Sequence, residues 1–317
     1  MPLTSLTGYI SIAGASLLPS GVSAPDGTYI PIRGYQGGRL LFVNSQGWHN
    51  DDRPDNFYTA LAGSGGALEA LEGRVNKGDA IVCGPGHLES LSAADYMSST
   101  GAAAGFSIVG LGSGAQRPLL DWSANAATWL GDTAGIEIAN MQLYLGGKTA
   151  ATTQTVVTPW TQSAAGLRLV GNYINWGLDT NTGCGSTLGA MAFTTSADDC
   201  QVLGNVFDNQ DVAGTLAITC LSLNGADRIR IARNCFFGAT TATTVGPIHF
   251  LTTLSSDVMI FNNYIENLKA ASTIAVSSAI SGVTGVVANN QFRVNSGILA
   301  ETQSAKLSST FIGNYTA

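Results

Sequence analysis

LRLVGNYI at residues 167–174 is the first of six segments in the C-terminal half that repeat one pattern. The pattern is apolar, any, apolar, any two, Asn, any, and then an apolar or aromatic residue. The other segments are CQVLGNVF (200–207), IRIARNCF (229–236), VMIFNNYI (258–265), GVVANNQF (285–292) and SSTFIGNYT (308–316). IEIANMQL (136–143) fits the same register, with Met141 in place of the Asn. Such repeats are typical of a solenoid in which each copy forms one coil.

The repeated asparagines predict how the coils stack. They are Asn172, Asn205, Asn234, Asn263, Asn290 and Asn314, at intervals of 33, 29, 29, 27 and 24 residues. Apolar residues two apart predict a strand with one buried face, and the Asn follows an extra residue at a bend. Because Asn tolerates a left-handed backbone and its amide both donates and accepts, we expect these side chains to form a hydrogen-bonded ladder.

A further apolar strand precedes several copies of the motif. These strands are AMAFT (190–194), AITCLSL (217–223), PIHFLT (247–252) and TIAVSS (273–278). Each coil then has three strands and three turns, which predicts an all-β chain. The repeat resembles the right-handed parallel β-helices of the pectate-lyase-like superfamily, which share an asparagine ladder. The resemblance covers residues 78–317 and implies a fold rather than a chemistry.

The N-terminal residues lack the repeat. We expect residues 38–77 to form a cap with one short helix over 59–75, because Leu68, Leu71 and Val75 make a single apolar stripe. Such a helix would cover the open end of the solenoid core. Residues 1–37 are expected to form an extended arm, whose apolar residues pack either on the chain's own helix or on a partner. They are Leu3, Leu6, Tyr9, Ile10, Ile12, Leu17 and Leu18.

Composition excludes several classes of protein. The 317 residues include 14 Lys+Arg and 21 Asp+Glu, a net charge of −7, and only 11% are charged, against about 25% in an average domain. With no Lys/Arg cluster, no nucleic-acid partner is expected. No apolar run approaches the roughly 20 residues of a membrane helix, and the first residues do not resemble a secretion signal, so no membrane partner is expected.

Cysteine and histidine give no sign of a metal or cofactor. The five cysteines are an odd number without CxxC spacing, which indicates reduced, mostly buried thiols. His49, His87 and His249 are far apart and share no ligand-like spacing. We therefore expect neither a metal nor a cofactor. His87 lies in a turn near Glu89 without a nucleophile placed by the sequence, and both it and His249 are interpreted as structural.

Three aspartates are the weak candidates for catalysis. Asp199, Asp227 and Asp257 each stand six or seven residues before a motif Asn. Stacked coils lie about 4.8 Å apart, near the separation of about 5–5.5 Å between the carboxyls of a retaining glycosidase. The alternative is that each Asp caps its own turn, since the nearby arginines would keep these carboxylates ionised. We favour the structural interpretation and expect no catalytic residue.

One long insertion is a candidate for binding sugars. Residues 176–188 contain Trp176, Asp179 and Asn181, and an aromatic ring beside short polar groups suits a sugar face. Asp208, Asn209 and Asp211 follow the next motif and are expected on the same side. An ordinary surface loop is the alternative.

These features together resemble the β-helix proteins of bacteriophage virions, which occur as tailspikes and as trimeric capsid-decoration or cement proteins. The Asn repeat and the strand and turn GDAIVCGPGH (78–87) carry this resemblance. It implies a non-enzymatic homotrimer in the virion, assembled in the host cytoplasm, that binds the major capsid protein or another virion protein and stabilises the head. The alternative is a tailspike-like or tail-fibre-like protein that binds or depolymerises a host surface glycan.

Overall fold

The computed structural model describes residues 10–12, 15–18, 21–23, 29–31, 39–43, 57–58, 68, 71, 74–91, 104–122, 128–145, 160–175, 190–208, 219–238, 245–267, 275–294 and 310–316. Within 10–31 and 57–58 the description covers the backbone. The strands are β1 (Ile10–Ile12), β2 (Ala15–Leu18), β3 (Gly21–Ser23), β4 (Tyr29–Pro31), β5 (Leu40–Val43), β6 (Phe57–Tyr58), β7 (Ala80–Cys83), β8 (Leu88–Leu91), β9 (Ser107–Gly110), β10 (Leu119–Trp122), β11 (Trp129–Gly131), β12 (Glu137–Ala139), β13 (Gln142–Tyr144), β14 (Trp160–Gln162), β15 (Arg168–Val170), β16 (Tyr173–Asn175), β17 (Met191–Phe193), β18 (Gln201–Leu203), β19 (Val206–Asp208), β20 (Leu221–Leu223), β21 (Arg230–Ala232), β22 (Cys235–Gly238), β23 (Ile248–Phe250), β24 (Val258–Phe261), β25 (Tyr264–Asn267), β26 (Val276–Ser278), β27 (Gly285–Ala288), β28 (Gln291–Val294), β29 (Thr310–Ile312) and β30 (Tyr315–Thr316). A 3₁₀ helix occupies Gly114–Gln116.

Three parallel sheets form a β-solenoid of about five turns. The eleven-stranded sheet has the order β29-β27-β24-β21-β18-β15-β12-β9-β7-β5-β6, and the nine-stranded sheet has the order β30-β28-β25-β22-β19-β16-β13-β10-β8. The six-stranded sheet has the order β11-β14-β17-β20-β23-β26. From β11 to β28 the chain visits the six-stranded, eleven-stranded and nine-stranded sheets in turn, so each coil in this range has three strands. The predicted all-β solenoid fold is confirmed.

The motif register predicted from the sequence is also confirmed. The first part of every copy forms the consecutive strands β12, β15, β18, β21, β24, β27 and β29 of the eleven-stranded sheet. The additional strands expected within 190–278 are β17, β20, β23 and β26, which are neighbours in the six-stranded sheet. The alternation of apolar residues therefore determined both the coil length and the strand pairing.

Stacked apolar side chains fill the interior. Each sheet contributes a column of inward residues at equivalent positions of successive coils, and aromatic residues lie face to face along these columns. Trp129 stacks on Trp160 at 4.6 Å with an interplanar angle of 3°, and Phe207 stacks on Phe236 at 4.7 Å. All four are at most 1% exposed. One continuous core therefore runs along the solenoid.

The expected cap contributes to the first coil. β5 lies within residues 38–77 and pairs in parallel with β7, and β6 pairs with β5. Of the helix expected over 59–75, the structure describes Leu68, Leu71 and residues 74–75, and the others lie outside the described residues. The Val75 N–H donates to the Leu71 carbonyl at 3.0 Å, the i to i−4 bond of an α-helix. Leu68, Leu71 and Val75 are buried in the main core, as the apolar stripe required.

The arm contains a small sheet of its own. β1, β2, β3 and β4 pair antiparallel, and this sheet shares no strand with the three sheets of the solenoid. Its cross-strand register aligns one apolar row of residues, which are Ile10, Leu17, Val22 and Ile30. The next row is Ser11, Ser16, Ser23 and Tyr29. The register of the arm sheet thus sets one row of apolar residues beside a row of three serines and a tyrosine.

Candidate functional site

The motif asparagines lie one above another in the tight turn between the eleven-stranded and nine-stranded sheets. The Asn172 Nδ2 donates to Asn205 Oδ1 at 3.0 Å, and the Asn205 Nδ2 donates to Asn234 Oδ1 at 3.0 Å. The same bond joins Asn234 to Asn263, Asn263 to Asn290 and Asn290 to Asn314. The first five of these residues are at most 2% exposed. All their amides are occupied within the solenoid, so this column is structural and offers no ligand site.

From the sequence we expected the motif Asn to have the left-handed backbone of this turn. In the structure the residue directly before the Asn has it instead. At that position φ is positive in every copy, and the residues are Asn140, Gly171, Gly204, Arg233, Asn262, Asn289 and Gly313. In this conformation the N–H of Gly171 donates to the Leu203 carbonyl of the next coil at 3.0 Å. The motif Asn is therefore selected for its amide, and the preceding residue for its backbone.

The candidate aspartates lie in a second column of left-handed turns, before the eleven-stranded sheet. The pairing of β18, β21 and β24 places Asp199, Arg228 and Asp257 at equivalent positions. Their φ angles are 57°, 56° and 54°. Earlier coils have glycine in this column, at Gly78, Gly105, Gly135 and Gly166. A position that the chain fills with Gly, Asp or Arg is defined by its backbone conformation.

The expected column of three aspartates is wrong by one residue at Asp227. Asp227 is equivalent to Asp198 and Ser256, and its own N–H donates to Asp198 Oδ1 at 2.9 Å. In turn, Asp227 Oδ1 accepts the N–H of Ser256 at 2.6 Å. Asp198 and Asp227 therefore cap the turn of the following coil. No sequence signal distinguished the two registers, because adjacent Asp198 and Asp199 fit the spacing equally well.

Asp199 is held as a carboxylate by Arg228. The Arg228 Nε donates to Asp199 Oδ1 at 2.7 Å, and its Nη2 donates to Asp199 Oδ2 at 3.0 Å. These hydrogen bonds lower the pKa of Asp199 below its usual range. Asp199 is thus ionised and paired at neutral pH. An acid catalyst needs a raised pKa, so the electrostatics at Asp199 support the interpretation of this column as turns.

Both histidines within the described ranges are buried. His87 Nε2 lies 3.1 Å from Glu89 Oε2, and both Glu89 carboxylate oxygens accept the N–H of Leu68, at 3.0 and 3.2 Å. His249 Nδ1 lies 2.7 Å from Ser277 Oγ. His87 is 1% exposed and His249 is 7% exposed. Glu89 links the helical segment to the first coil. Both histidines are buried structural residues, as the sequence indicated.

The outer face of the nine-stranded sheet carries a group of polar and aromatic side chains that was not expected from the sequence. They occupy the first or third position after a motif Asn, or after Met141 in the earliest copy, and form what we call the aromatic strip. It consists of Tyr144, Tyr173, Asp208, Phe237, Tyr264, Glu266 and Arg293. Among these residues, Asp208 alone was a candidate from the sequence. Counting forward by one and three residues from each motif Asn, and from Met141, would have found the others.

Two tyrosine–carboxylate pairs organise the aromatic strip. The Tyr173 hydroxyl donates to Asp208 Oδ2 at 2.6 Å, and the Tyr264 hydroxyl donates to Glu266 Oε2. Arg293 Nη1 also donates to Glu266 Oε2, at 3.1 Å. Phe237 lies between the two pairs, with its ring centroid 5.9 Å from that of Tyr264 and tilted by 59°. The strip thus alternates ring faces with fixed hydrogen-bonding groups.

The tyrosines of the strip are hydrogen-bond donors at neutral pH. Burial, followed by the hydrogen bond to Asp208, raises the pKa of Tyr173 to about 12. Burial and the bond to Glu266 also raise the pKa of Tyr264. Both hydroxyls therefore stay protonated and hold their carboxylates in place. Rings with ordered carboxylates are suited to an uncharged polyhydroxylated ligand, which stacks on the rings and donates to the oxygens.

No family model, curated protein or solved structure matches this chain. Among the described residues, no group of three or more His, Cys, Asp or Glu is placed to hold a metal ion. In the same part of the chain, no helix is long and apolar enough to cross a membrane. The function of this protein therefore has to be inferred from the geometry of its turns and of the aromatic strip.

None of the described cysteines forms a disulfide. Cys83, Cys200 and Cys220 are buried, and Cys235 is half-buried. Burial raises the pKa of each of these thiols, and that of Cys200 rises to about 12. They are therefore protonated at neutral pH and make poor nucleophiles.

Several predicted contact residues lie outside the described residues. These are Leu3, Leu6 and Tyr9 of the arm, His49, Cys184, the whole insertion 176–188, and Asn209 and Asp211. Ile10, Ile12, Leu17 and Leu18 belong to β1 and β2, where the backbone alone is described.

Proposed function

We propose that this chain is a non-enzymatic structural protein of a bacteriophage virion, a decoration protein that binds the assembled head as a homotrimer. The solenoid would then be a member of the pectate-lyase-like β-helices, and the protein would join the virion in the host cytoplasm. The arm sheet is the observation that carries this proposal. It is a separate antiparallel sheet with one apolar row, appended to a solenoid that has its own core.

A sheet with an apolar row of residues is completed by a second layer. In our proposal the major capsid protein, or another virion protein, supplies that layer to the row Ile10, Leu17, Val22 and Ile30. Binding to the assembled shell and not to free subunits would stabilise the shell by mass action. The low charge of the chain, 11% of residues, agrees with surfaces that become covered in an assembly, because desolvating unpaired ions is costly.

The turn chemistry supports a non-enzymatic role. Asp199 is paired with Arg228, and Asp198 and Asp227 accept backbone N–H groups of the following coil. All three carboxylates are thus engaged as hydrogen-bond acceptors in the turns of the solenoid itself. The solenoid in this proposal is a rigid support for the arm.

The test compares two matched pairs of substitutions in the arm sheet. Leu17→Ser with Val22→Ser alters the apolar row, and Ser16→Ala with Ser23→Ala alters the adjacent row as the control. Each variant is added to heads of the encoding phage that lack this protein, and occupancy is measured by quantitative gel and electron microscopy. We expect the apolar-row variant to lose at least about tenfold in affinity, and the control to bind like the parent. Full occupancy by a chain lacking residues 1–31 would overturn the proposal.

Glycan binding is the second candidate, because of the aromatic strip. Tyr173, Phe237 and Tyr264 offer rings, while Asp208 and Glu266 are held by hydrogen bonds ready to accept from hydroxyls. In a screen of host surface polysaccharides, binding abolished by Phe237→Ala with Tyr264→Ala, and kept by Leu254→Ala on an exposed turn, would favour it. Release of reducing ends by the parent chain would favour the depolymerase instead.

A further inference from the structure

The outer face of the eleven-stranded sheet becomes apolar and exposed toward its C-terminal coils. Five large hydrophobic side chains within the described ranges are exposed, and three of them lie on this one face: Met259 at 42%, Val286 at 37% and Ile312 at 56%. Phe261 and Ala288, half-buried, complete what we call the apolar face. Strand register places these residues in two adjacent columns. Exposed apolar residues collected on one flat surface mark an interaction site.

The same two columns are covered in the first coils. Phe42, Val82, Val109 and Ala139 point outward from the eleven-stranded sheet, yet they are 4%, 0%, 0% and 0% exposed. They lie outside the main core cluster, although they are buried. The chain thus buries this face at one end of the solenoid and leaves the chemically equivalent face open at the other.

The borders of the apolar face carry opposite charge. The turn column on one border contains Asp198, Asp199, Asp227 and Asp257 with Arg228, a net charge of −3 from four acids and one base. The other border has exposed Arg233 in the same coil as Arg228. Arg230 stands between the borders, with its guanidinium 4.9 Å from the Phe261 ring centroid. A neighbour that presents its acidic border to Arg233 is therefore electrostatically favoured.

We propose that the apolar face binds a second copy of this chain, side by side and with parallel solenoid axes. In this arrangement equal coils lie at equal height, so Arg233 of one copy faces the turn of Asp227 and Arg228 of its neighbour. Arg228 is already paired with Asp199, and Asp257 lies within one coil of Arg233. The contact joins two different borders, so it is heterologous and can repeat into a closed ring. This inference rests on the homotrimer in the proposed function and assigns the surface that builds it.

Sedimentation of the full chain tests the contact, starting from a subunit mass of 32.6 kDa. Met259→Lys with Val286→Lys places charge on the apolar face. Leu88→Lys with Leu254→Lys is the matched control, because these residues are equally exposed, at 46% and 51%, and lie off the face. We expect the face variant to sediment as a monomer and the control to keep the parent mass. A monomeric parent chain, or a face variant with the parent mass, overturns the proposal. Circular dichroism and thermal melts show that each variant is folded.

A charge exchange tests the orientation of the two copies. Arg233→Asp should raise the dissociation constant several-fold, and adding Asp257→Arg should restore it. Both residues fit their turns, because Asp and Arg already occur at left-handed positions of this solenoid. Absence of rescue overturns the parallel arrangement.

Deleting residues 1–31 separates this inference from head binding. An oligomer that persists without the arm and no longer binds heads supports both proposals. A monomeric parent chain that still binds heads overturns the contact and the homotrimer, and leaves head binding by the arm standing.

Discussion

Arg228 binds Asp199 of the preceding coil through two hydrogen bonds, from Nε to Oδ1 at 2.7 Å and from Nη2 to Oδ2 at 3.0 Å. Both residues have a left-handed backbone and occupy the same position of successive coils. The parallel stacking of the solenoid converts residues 29 apart in the chain into nearest neighbours. The spacing between successive coils would suit a pair of catalytic carboxylates, but at this position it holds the Arg228–Asp199 ion pair.

The ion pair predicts how Asp199 titrates. The pKa of Asp199 is lowered in the folded chain, so any stability that it contributes is present above its unfolded pKa of about 3.9 and is lost as the pH falls through the lower folded pKa. Selectively labelled NMR should show the Asp199 midpoint below the ordinary range, and Arg228→Asn should return it toward that range. Because Asn occupies left-handed positions elsewhere in the solenoid, this variant keeps the turn. An unchanged midpoint in Arg228→Asn would contradict the pairing.

Removing one member of the asparagine column should be costly. Asn234→Ala deletes the donor to the Val202 carbonyl, at 2.8 Å, and the acceptor of the Asn205 N–H, at 2.8 Å, both buried. Leaving these groups unsatisfied should lower the free energy of unfolding by about 2–4 kcal/mol. Urea denaturation measures the loss. The control is Asn262→Gly, directly before the next motif Asn, which matches the left-handed Gly204 of an earlier coil and should change stability by less than about 0.5 kcal/mol.

Two glycines should respond very differently to alanine. Gly204 has φ of 64° and open space where a Cβ would lie, so Gly204→Ala should cost only the conformational penalty of about 1–2 kcal/mol. At Gly285, with φ of 143°, a Cβ would lie 1.9 Å from the Val258 carbonyl oxygen of the adjacent strand. Gly285→Ala should therefore cost more than about 3 kcal/mol or prevent folding of the last coils. Equal melting temperatures for the two variants would refute the close approach of the Gly285 and Val258 backbones.

The tyrosines of the aromatic strip predict a change in alkaline stability. The pKa of Tyr173 is raised to about 12 in the folded chain, above its unfolded value of about 10. Its contribution is therefore complete below a pH of about 10 and lost as the pH rises through about 12. Tyr173→Phe should reduce the fall in unfolding free energy over this interval, while Tyr144→Phe serves as a control without the Asp208 bond. Ultraviolet titration of tyrosinate should lose one late-ionising group in Tyr173→Phe.

The candidate site was less predictable than the fold, for a geometric reason. The motif spacing identified which residues point inward, since burial imposes a strict alternation on each strand. Outward residues such as Phe237 and Glu266 carry no such constraint and become a strip only when the coils are superposed. Asp227 is an example of what the sequence could not predict, because a shift of one residue in register decides whether it stacks on Asp199 or on Asp198.

The sequence by itself determined the solenoid, the three strands per coil and the stacking of the six asparagines at equivalent positions. The reason is that repeated burial and repeated turn chemistry leave a periodic record in the chain. Only the tertiary structure showed that the residue directly before each Asn, and not the Asn, takes the left-handed backbone. It also decided which charged residues pair between coils and which outer face is apolar and exposed. Those features depend on atoms about 4.8 Å apart in space, in coils that are separated by 24 to 33 residues of chain.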